Sequence, residues 1–151
     1  MSENSLGNTI VTQVGIVVKD IEKTLDQWVE IFGLPERPNV IVTDTEDKAH
    51  TRYHGAPSQA RPKLAFIPMG QVTVELIEPD GNPSTWQEHL DRFGDSVHHI
   101  AFQVKGTGQV VASLSAKGLQ MDQQGDYTGG MYTYINSLKQ LGVNLELLEN
   151  F

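Results

Sequence analysis

The feature that most constrains the fold of this chain is a repeat between its two halves. Residues 13–18, which read Gln-Val-Gly-Ile-Val-Val, match residues 99–104, which read His-Ile-Ala-Phe-Gln-Val. Residues 74–78, which read Val-Glu-Leu-Ile-Glu, match residues 145–149, which read Leu-Glu-Leu-Leu-Glu. Each half consists of a strand pattern, a helix pattern and up to three further strand patterns. The repeat therefore predicts two βαβββ modules.

We expect an α+β fold in which these modules are related by pseudo-two-fold symmetry and form a curved mixed sheet around a cavity. Module one is expected at about residues 9–79, a linker helix at about 80–95 and module two at about 96–149, within a single domain over 1–151. The strands over 10–18 and 97–104 are expected to pair with each other or with a partner chain.

Local patterns support helices on the outside of this sheet. Asp20 suits the N-cap of a helix with one apolar stripe, and Gly33 suits its C-terminal end. Ser84 begins a capping-box pattern for a short second helix. Strict strand alternation predicts that His98 points to the outer face as a packing residue, away from His99. The polar segment 43–61 has no periodicity that assigns it.

Four polar side chains interrupt otherwise apolar strands, and the repeat pairs Gln13 with His99 and Glu75 with Glu146. Pseudo-two-fold symmetry can bring all four into one cavity. Their oxygen and imidazole nitrogen atoms suit one divalent ion such as Zn, Ni, Co, Mn or Mg. Two neighbouring buried carboxylates are also costly without a cation. The alternative is four unrelated polar residues, some of them solvated.

Composition excludes several classes of partner and chemistry. A formal net charge of -8 argues against nucleic acid or an anionic membrane as a partner. The chain has no cysteine, which excludes disulfides, thiolate ligands and a cysteine nucleophile. No apolar run approaches the roughly 18 residues of a membrane span, and residues 1–5 lack a secretory pattern, so a cytoplasmic location is expected.

The stretches 13–21, 74–79, 98–102 and 145–149 resemble the vicinal oxygen chelate superfamily, which groups glyoxalase I, methylmalonyl-CoA epimerase, extradiol dioxygenases and bleomycin-resistance proteins. The His-His-Ile-Ala-Phe stretch looks most like the epimerase branch. The Gln, Glu, His and Glu set looks like the zinc type of glyoxalase I, and Gln13 departs from the histidine common at that position in epimerases. The sequence leaves the substrate open.

The resemblance implies a divalent-metal-dependent isomerase, epimerase or lyase, of the glyoxalase I or methylmalonyl-CoA epimerase type. Such enzymes abstract a proton next to a carbonyl group through an enediolate or enolate held by the metal. By match to the glyoxalase pattern, Glu146 is the candidate base as well as a ligand. A homodimer is also implied. The alternatives are a metal-free binding or resistance protein and an Fe(II) dioxygenase, which normally needs two histidines where only His99 is available.

Four aromatic side chains are candidates to line the cavity and set the shape of a small-molecule substrate: Tyr53, His54, Tyr132 and Tyr134. Tyr132 and Tyr134 share one strand face, and Tyr53 and His54 lie beside the equivalent hairpin of the first half. The alternative is that they are core or surface aromatics. The sequence offers no phosphate loop or strong basic cluster for a coenzyme A or glutathione carrier.

Overall fold

Ten strands form one mixed sheet in the computed structural model, which describes residues 3–151. Residues 1 and 2 of the expected domain lie outside the described residues. The strands are β1 (Gln13–Val17), β2 (Ile41–Val42), β3 (Arg52–Tyr53), β4 (Ala56–Pro57), β5 (Lys63–Met69), β6 (Val72–Glu78), β7 (Ser96–Gln103), β8 (Gln120–Tyr127), β9 (Gly130–Asn136) and β10 (Asn144–Asn150). Their order in the sheet is β2-β5-β6-β1-β7-β10-β9-β8-β3-β4.

The sheet has the predicted internal symmetry. In the first half, β1 runs parallel to β6, which pairs antiparallel with β5. In the second half, β7 runs parallel to β10, which pairs antiparallel with β9. The halves meet where β1 and β7 pair antiparallel, so the two expected central strands pair with each other within one chain. The prediction of an α+β fold with two related modules is confirmed.

The described residues form five helices: α1 (Ile21–Phe32), α2 (Glu46–Ala49), α3 (Thr85–Phe93), α4 (Thr107–Ala116) and α5 (Leu138–Leu141). The Asp20 carboxylate accepts a hydrogen bond from the Lys23 backbone N–H at 3.2 Å, and Gly33 ends α1 with a φ of 58°. Both predicted ends of this helix are confirmed. Within residues 3–151, every helix is too short or too polar to cross a membrane.

Alternation along β6 and β10 separates the apolar core from the polar side chains. Val74 and Leu76 pack in a cluster with α1, and Leu145 and Leu147 pack in a second cluster with α4. Because neighbouring strand residues point to opposite faces, the glutamates between these pairs point to the other, concave face. The buried aliphatic side chains, each worth roughly 1.5–3 kcal/mol, hold both glutamates in that orientation.

The strand β7 contains an irregularity at His98. Gly15 of β1 lies opposite His99, but the next residue, Ile16, lies opposite Val97. His98 is therefore the extra residue of a β-bulge, which breaks the alternation of side chains. The expectation that His98 points to the outer face is wrong, because its side chain is fully buried and contacts His99.

The unassigned segment 43–61 forms α2 and a short hairpin of β3 and β4. This hairpin belongs to the first half in sequence, yet β3 pairs with β8 of the second half, with Arg52 opposite Gln124. The segment thus crosses the concave side of the molecule and joins the far edge of the sheet.

Candidate metal centre

The predicted metal ligands lie on four neighbouring strands, β6, β1, β7 and β10, and three of them meet at one point. The Nε2 atom of His99 lies 3.4 Å from Oε1 of Glu75 and 3.2 Å from Oε1 of Glu146. One ligand atom from each of the three residues lies within 4.8 Å of the others. Gln13 is half-buried and lines the same cavity as both glutamates.

Small residues opposite the ligands make this convergence feasible. Gly15 lies opposite His99 across the β1–β7 pair, and a Cβ atom at residue 15 would lie 2.0 Å from Cε1 of His99. The imidazole therefore occupies the space of the missing side chain. Ala101, the counterpart of Gly15 in the repeat, lies opposite Gln13.

The three converging atoms have unmet bonding needs. Oε1 of Glu75, Nε2 of His99 and Oε1 of Glu146 are buried and have no hydrogen-bond partner among the described residues. A buried polar group without a partner costs about 1–3 kcal/mol. Two carboxylates and an imidazole suit a divalent ion such as Zn, Mn, Co or Ni, and the Gln13 amide oxygen is a fourth donor type. The residues present therefore fit the metal ion that the fold implies.

Without a metal, these groups control one another's protonation. Burial lowers the pKa of His99, but the carboxylates of Glu146 and Glu75 outweigh it and raise the pKa to about 10. Burial raises the pKa of Glu75. The metal-free site therefore holds an imidazolium between carboxylates at neutral pH, and a metal ion has to displace the His99 proton.

A chain of hydrogen bonds behind the site fixes the orientation of His99. Its Nδ1 lies 2.8 Å from Nδ1 of His98, and Nε2 of His98 lies 3.1 Å from Oγ1 of Thr85 in α3. When Nε2 of His99 is free to bind a cation, its Nδ1–H donates to His98, which in turn donates from Nε2 to Thr85. Burial lowers the pKa of His98 well below its usual value, which keeps this ring neutral.

The same network continues to the wall of the cavity. The backbone N–H of Thr85 donates to Oε1 of Gln123 at 2.9 Å, and Nε2 of Gln123 donates to the Tyr132 hydroxyl at 3.0 Å. Nε1 of Trp86 donates to the Tyr134 hydroxyl at 3.1 Å. Sequence reasoning missed the supporting roles of Thr85, Gln123 and Trp86. The adjacent histidine pair was the available indication, but the assumption of strict side-chain alternation assigned His98 to the other face.

A cavity of about 590 Å³ is lined by two of the three converging residues, Glu75 and Glu146. Tyr132 and Tyr134 line it, as proposed from the sequence. Tyr134 is the cross-strand partner of Glu146, and burial together with the Glu146 and Glu75 charges raises its pKa well above the usual value. The Tyr134 phenol therefore keeps its proton beside the candidate base.

The expectation that Tyr53 and His54 line this cavity is not met, because the β3–β4 hairpin joins the edge of β8. Tyr53 lines a separate groove beside α3, and its hydroxyl donates to the Glu88 carboxylate. His54 stacks on Tyr53 with ring centroids 4.1 Å apart. Sequence reasoning instead missed two acidic residues that line the cavity, Asp44 and Asp126.

Comparison with known proteins assigns the chain to a family. A family model described as the glyoxalase/bleomycin resistance protein/dioxygenase superfamily matches residues 12–135, which include the first three predicted metal ligands. The uncharacterized protein YqjC of Bacillus subtilis (strain 168) is 32% identical over 90 residues. That match covers 57% of this chain and 64% of the relative, so the chain spans less than two thirds of the relative's length.

Two solved structures share the fold over nearly the whole chain. The hypothetical protein BH1468 from Bacillus halodurans C-125 superposes with a TM-score of 0.64 at 21% identity, covering 93% of this chain and 94% of that one. Methylmalonyl-CoA epimerase from Mycobacterium tuberculosis superposes with a TM-score of 0.62 at 18% identity, covering 100% and 93%.

Proposed function

Because the chain belongs to the glyoxalase/bleomycin resistance protein/dioxygenase superfamily, we propose that it is a divalent-metal-dependent isomerase, epimerase or lyase that removes a proton next to a carbonyl group. The observation that carries the proposal is the group of buried, unpartnered ligand atoms on Glu75, His99 and Glu146. The epimerase named among the structural neighbours supports the reaction type, and the cavity supports a small-molecule substrate.

Glu75, His99 and Glu146 would hold the metal ion, with Gln13 as a further ligand. A bound divalent cation would polarise the oxygens of the substrate and stabilise the negative charge that develops when a proton leaves. Neutralising the two buried carboxylates also removes the cost of keeping them close together. His98 positions His99 through the 2.8 Å contact between their Nδ1 atoms.

Glu146 is the proposed base. It projects from β10 into the cavity, where its carboxylate can take a proton from a substrate carbon and return it to the same or a neighbouring carbon. Glu75 projects from β6, on the other side of the central β1–β7 pair. The two carboxylates thus reach one metal centre from opposite sides of the sheet's central pair, and a second carboxylate can serve the opposite face of a carbon atom, as epimerisation requires. The Tyr134 hydroxyl keeps its proton and lines the cavity, where it can donate a hydrogen bond to the substrate.

The Glu146→Gln variant tests this role. An amide can coordinate through oxygen but cannot act as a base, so we expect the variant to retain part of its metal and lose proton exchange by at least about 100-fold. The measurement is metal content together with hydrogen–deuterium exchange at the carbon next to the carbonyl group, using small neutral 2-hydroxyketones such as dihydroxyacetone as first probes. Glu36→Gln, at an exposed position after α1, is the control. Full exchange in the metal-loaded Glu146→Gln protein would exclude Glu146 as the base.

The geometry does not favour an Fe(II) dioxygenase. Such enzymes bind iron through two histidines and one carboxylate, whereas the described cluster contains one histidine and two glutamates. His98 is not available as the second histidine, because its two ring nitrogens contact His99 and Thr85. A metal-free binding protein is the second alternative, because the carboxylates raise the His99 pKa and a protonated His99 would partly balance their charge. Metal analysis of the purified chain separates this alternative from the proposed enzyme.

A further inference from the structure

We infer that the substrate carries no anionic group outside the part that reaches the metal ligands; this inference rests on the proposed function. The expected substrate is a small neutral or amine-bearing molecule that carries two neighbouring oxygen atoms at one end. It argues against substrates attached to a strongly anionic carrier such as coenzyme A or glutathione.

The charges on the cavity wall have one sign. The charged side chains that line the cavity are all acidic: Asp44, Glu75, Asp126 and Glu146. In the described part of the chain, no lysine or arginine belongs to this lining. A divalent cation would balance Glu75 and Glu146. The carboxylates of Asp44 and Asp126 would remain and would repel an anionic part of a substrate.

The basic side chains next to lining residues in the sequence already have partners. Nδ1 of His50 lies 2.8 Å from the Asp126 carboxylate and is its partner. Nε of Arg61 donates to the backbone carbonyl of Thr43 at 2.9 Å. NH1 of Arg52 lies 3.0 Å from the Glu46 carboxylate, and Nζ of Lys63 lies 3.5 Å from that of Glu78.

Another part of the cavity lining is apolar and exposed. Ile41 and Val42 of β2 and Phe66 of β5 line the cavity and are 47%, 53% and 37% exposed. These side chains suit an apolar portion of the substrate. The volume of about 590 Å³ is within the usual range for small-molecule sites. The buried, unpartnered atoms of Glu75, His99 and Glu146 mark the polar end of the same cavity.

Three hydroxamates of equal length test the charge preference on the cobalt-loaded protein. Hydroxamates bind metals through two neighbouring oxygens, and the visible absorption of Co²⁺ reports their binding. Butyrohydroxamate has a neutral tail, succinic monohydroxamate an anionic tail and β-alanine hydroxamate a cationic tail. At low salt we expect the neutral and cationic probes to bind at least about tenfold more tightly than the anionic probe, and added salt to reduce the difference.

At saturating cobalt, the double variant Asp44→Asn, Asp126→Asn should reduce this discrimination, whereas Glu36→Gln should leave it unchanged. Equal or tighter binding of the anionic probe would overturn the inference alone. If the anionic probe bound tightly and Arg61→Gln selectively weakened its binding, Arg61 would be the residue that binds the anionic group, and the inference would be wrong. Absence of cobalt binding, or probes that leave the cobalt spectrum unchanged, would instead overturn the proposed function and, with it, the inference.

Discussion

At the scale of single residues, the candidate centre depends on a histidine that does not contact the proposed ion. When His99 gives up its Nε2 proton to bind a cation, its Nδ1–H donates to Nδ1 of His98, whose Nε2–H then donates to Thr85. The sequence identified His99 but assigned His98 to the wrong face. A β-bulge adds one residue to one strand, and the composition of this apolar run gives no indication of it.

Two substitutions of His98 separate hydrogen bonding from packing. His98→Leu fills a similar volume but removes the acceptor for His99, so we expect metal affinity to fall about 10- to 100-fold. His98→Asn places a carbonyl oxygen near the position of Nδ1 and should retain more of the affinity. Metal titrations and ¹⁵N NMR of the His99 ring measure the two effects. Equal metal affinity and an unchanged His99 tautomer in the leucine variant would contradict the positioning role.

At the scale of elements, the central strand pair creates the space for the site. The repeat predicted that Gln13, Glu75, His99 and Glu146 would share a cavity, and hydrophobic alternation was sufficient to place both glutamates on the concave face. The β3–β4 hairpin could not be placed, because segment 43–61 is polar and pairs with residues about 70 positions later, such as Arg52 with Gln124. That long-range pairing is why the expectation for Tyr53 was wrong.

The space opposite His99 is testable by Gly15→Ala. The added Cβ would lie 2.0 Å from Cε1 of His99, so the ring or the strand has to move. We expect a loss of about 1–3 kcal/mol in the free energy of unfolding and at least a tenfold loss of metal affinity. Gly108→Ala is the control, because its added Cβ would meet no described atom within 4 Å beyond its chain neighbours and its own helix backbone, and alanine favours helix α4. Unchanged metal affinity in a folded Gly15→Ala protein would contradict the proposed packing.

At the scale of the whole molecule, the internal symmetry gathers the ligands and the cavity within one chain. Strands from both halves contribute, since Glu75 comes from β6 and Glu146 from β10, with β1 and β7 between them. The homodimer implied by the resemblance stays a prediction. The identity of the substrate was not predictable, because the wall that contains Asp44 and Asp126 is formed by loop and strand segments without a recognisable motif.

The central claim is that Glu75, His99 and Glu146 bind one divalent ion, and a metal titration at several pH values tests it most directly. In the metal-free protein the His99 pKa is raised to about 10, so below that pH the ion has to displace a proton. Between about pH 6 and pH 8 we therefore expect one ion per chain, with the logarithm of the affinity rising by about one for each pH unit. The His99→Ala variant should lose this binding. Absence of binding, or binding that His99→Ala leaves intact, would contradict the account.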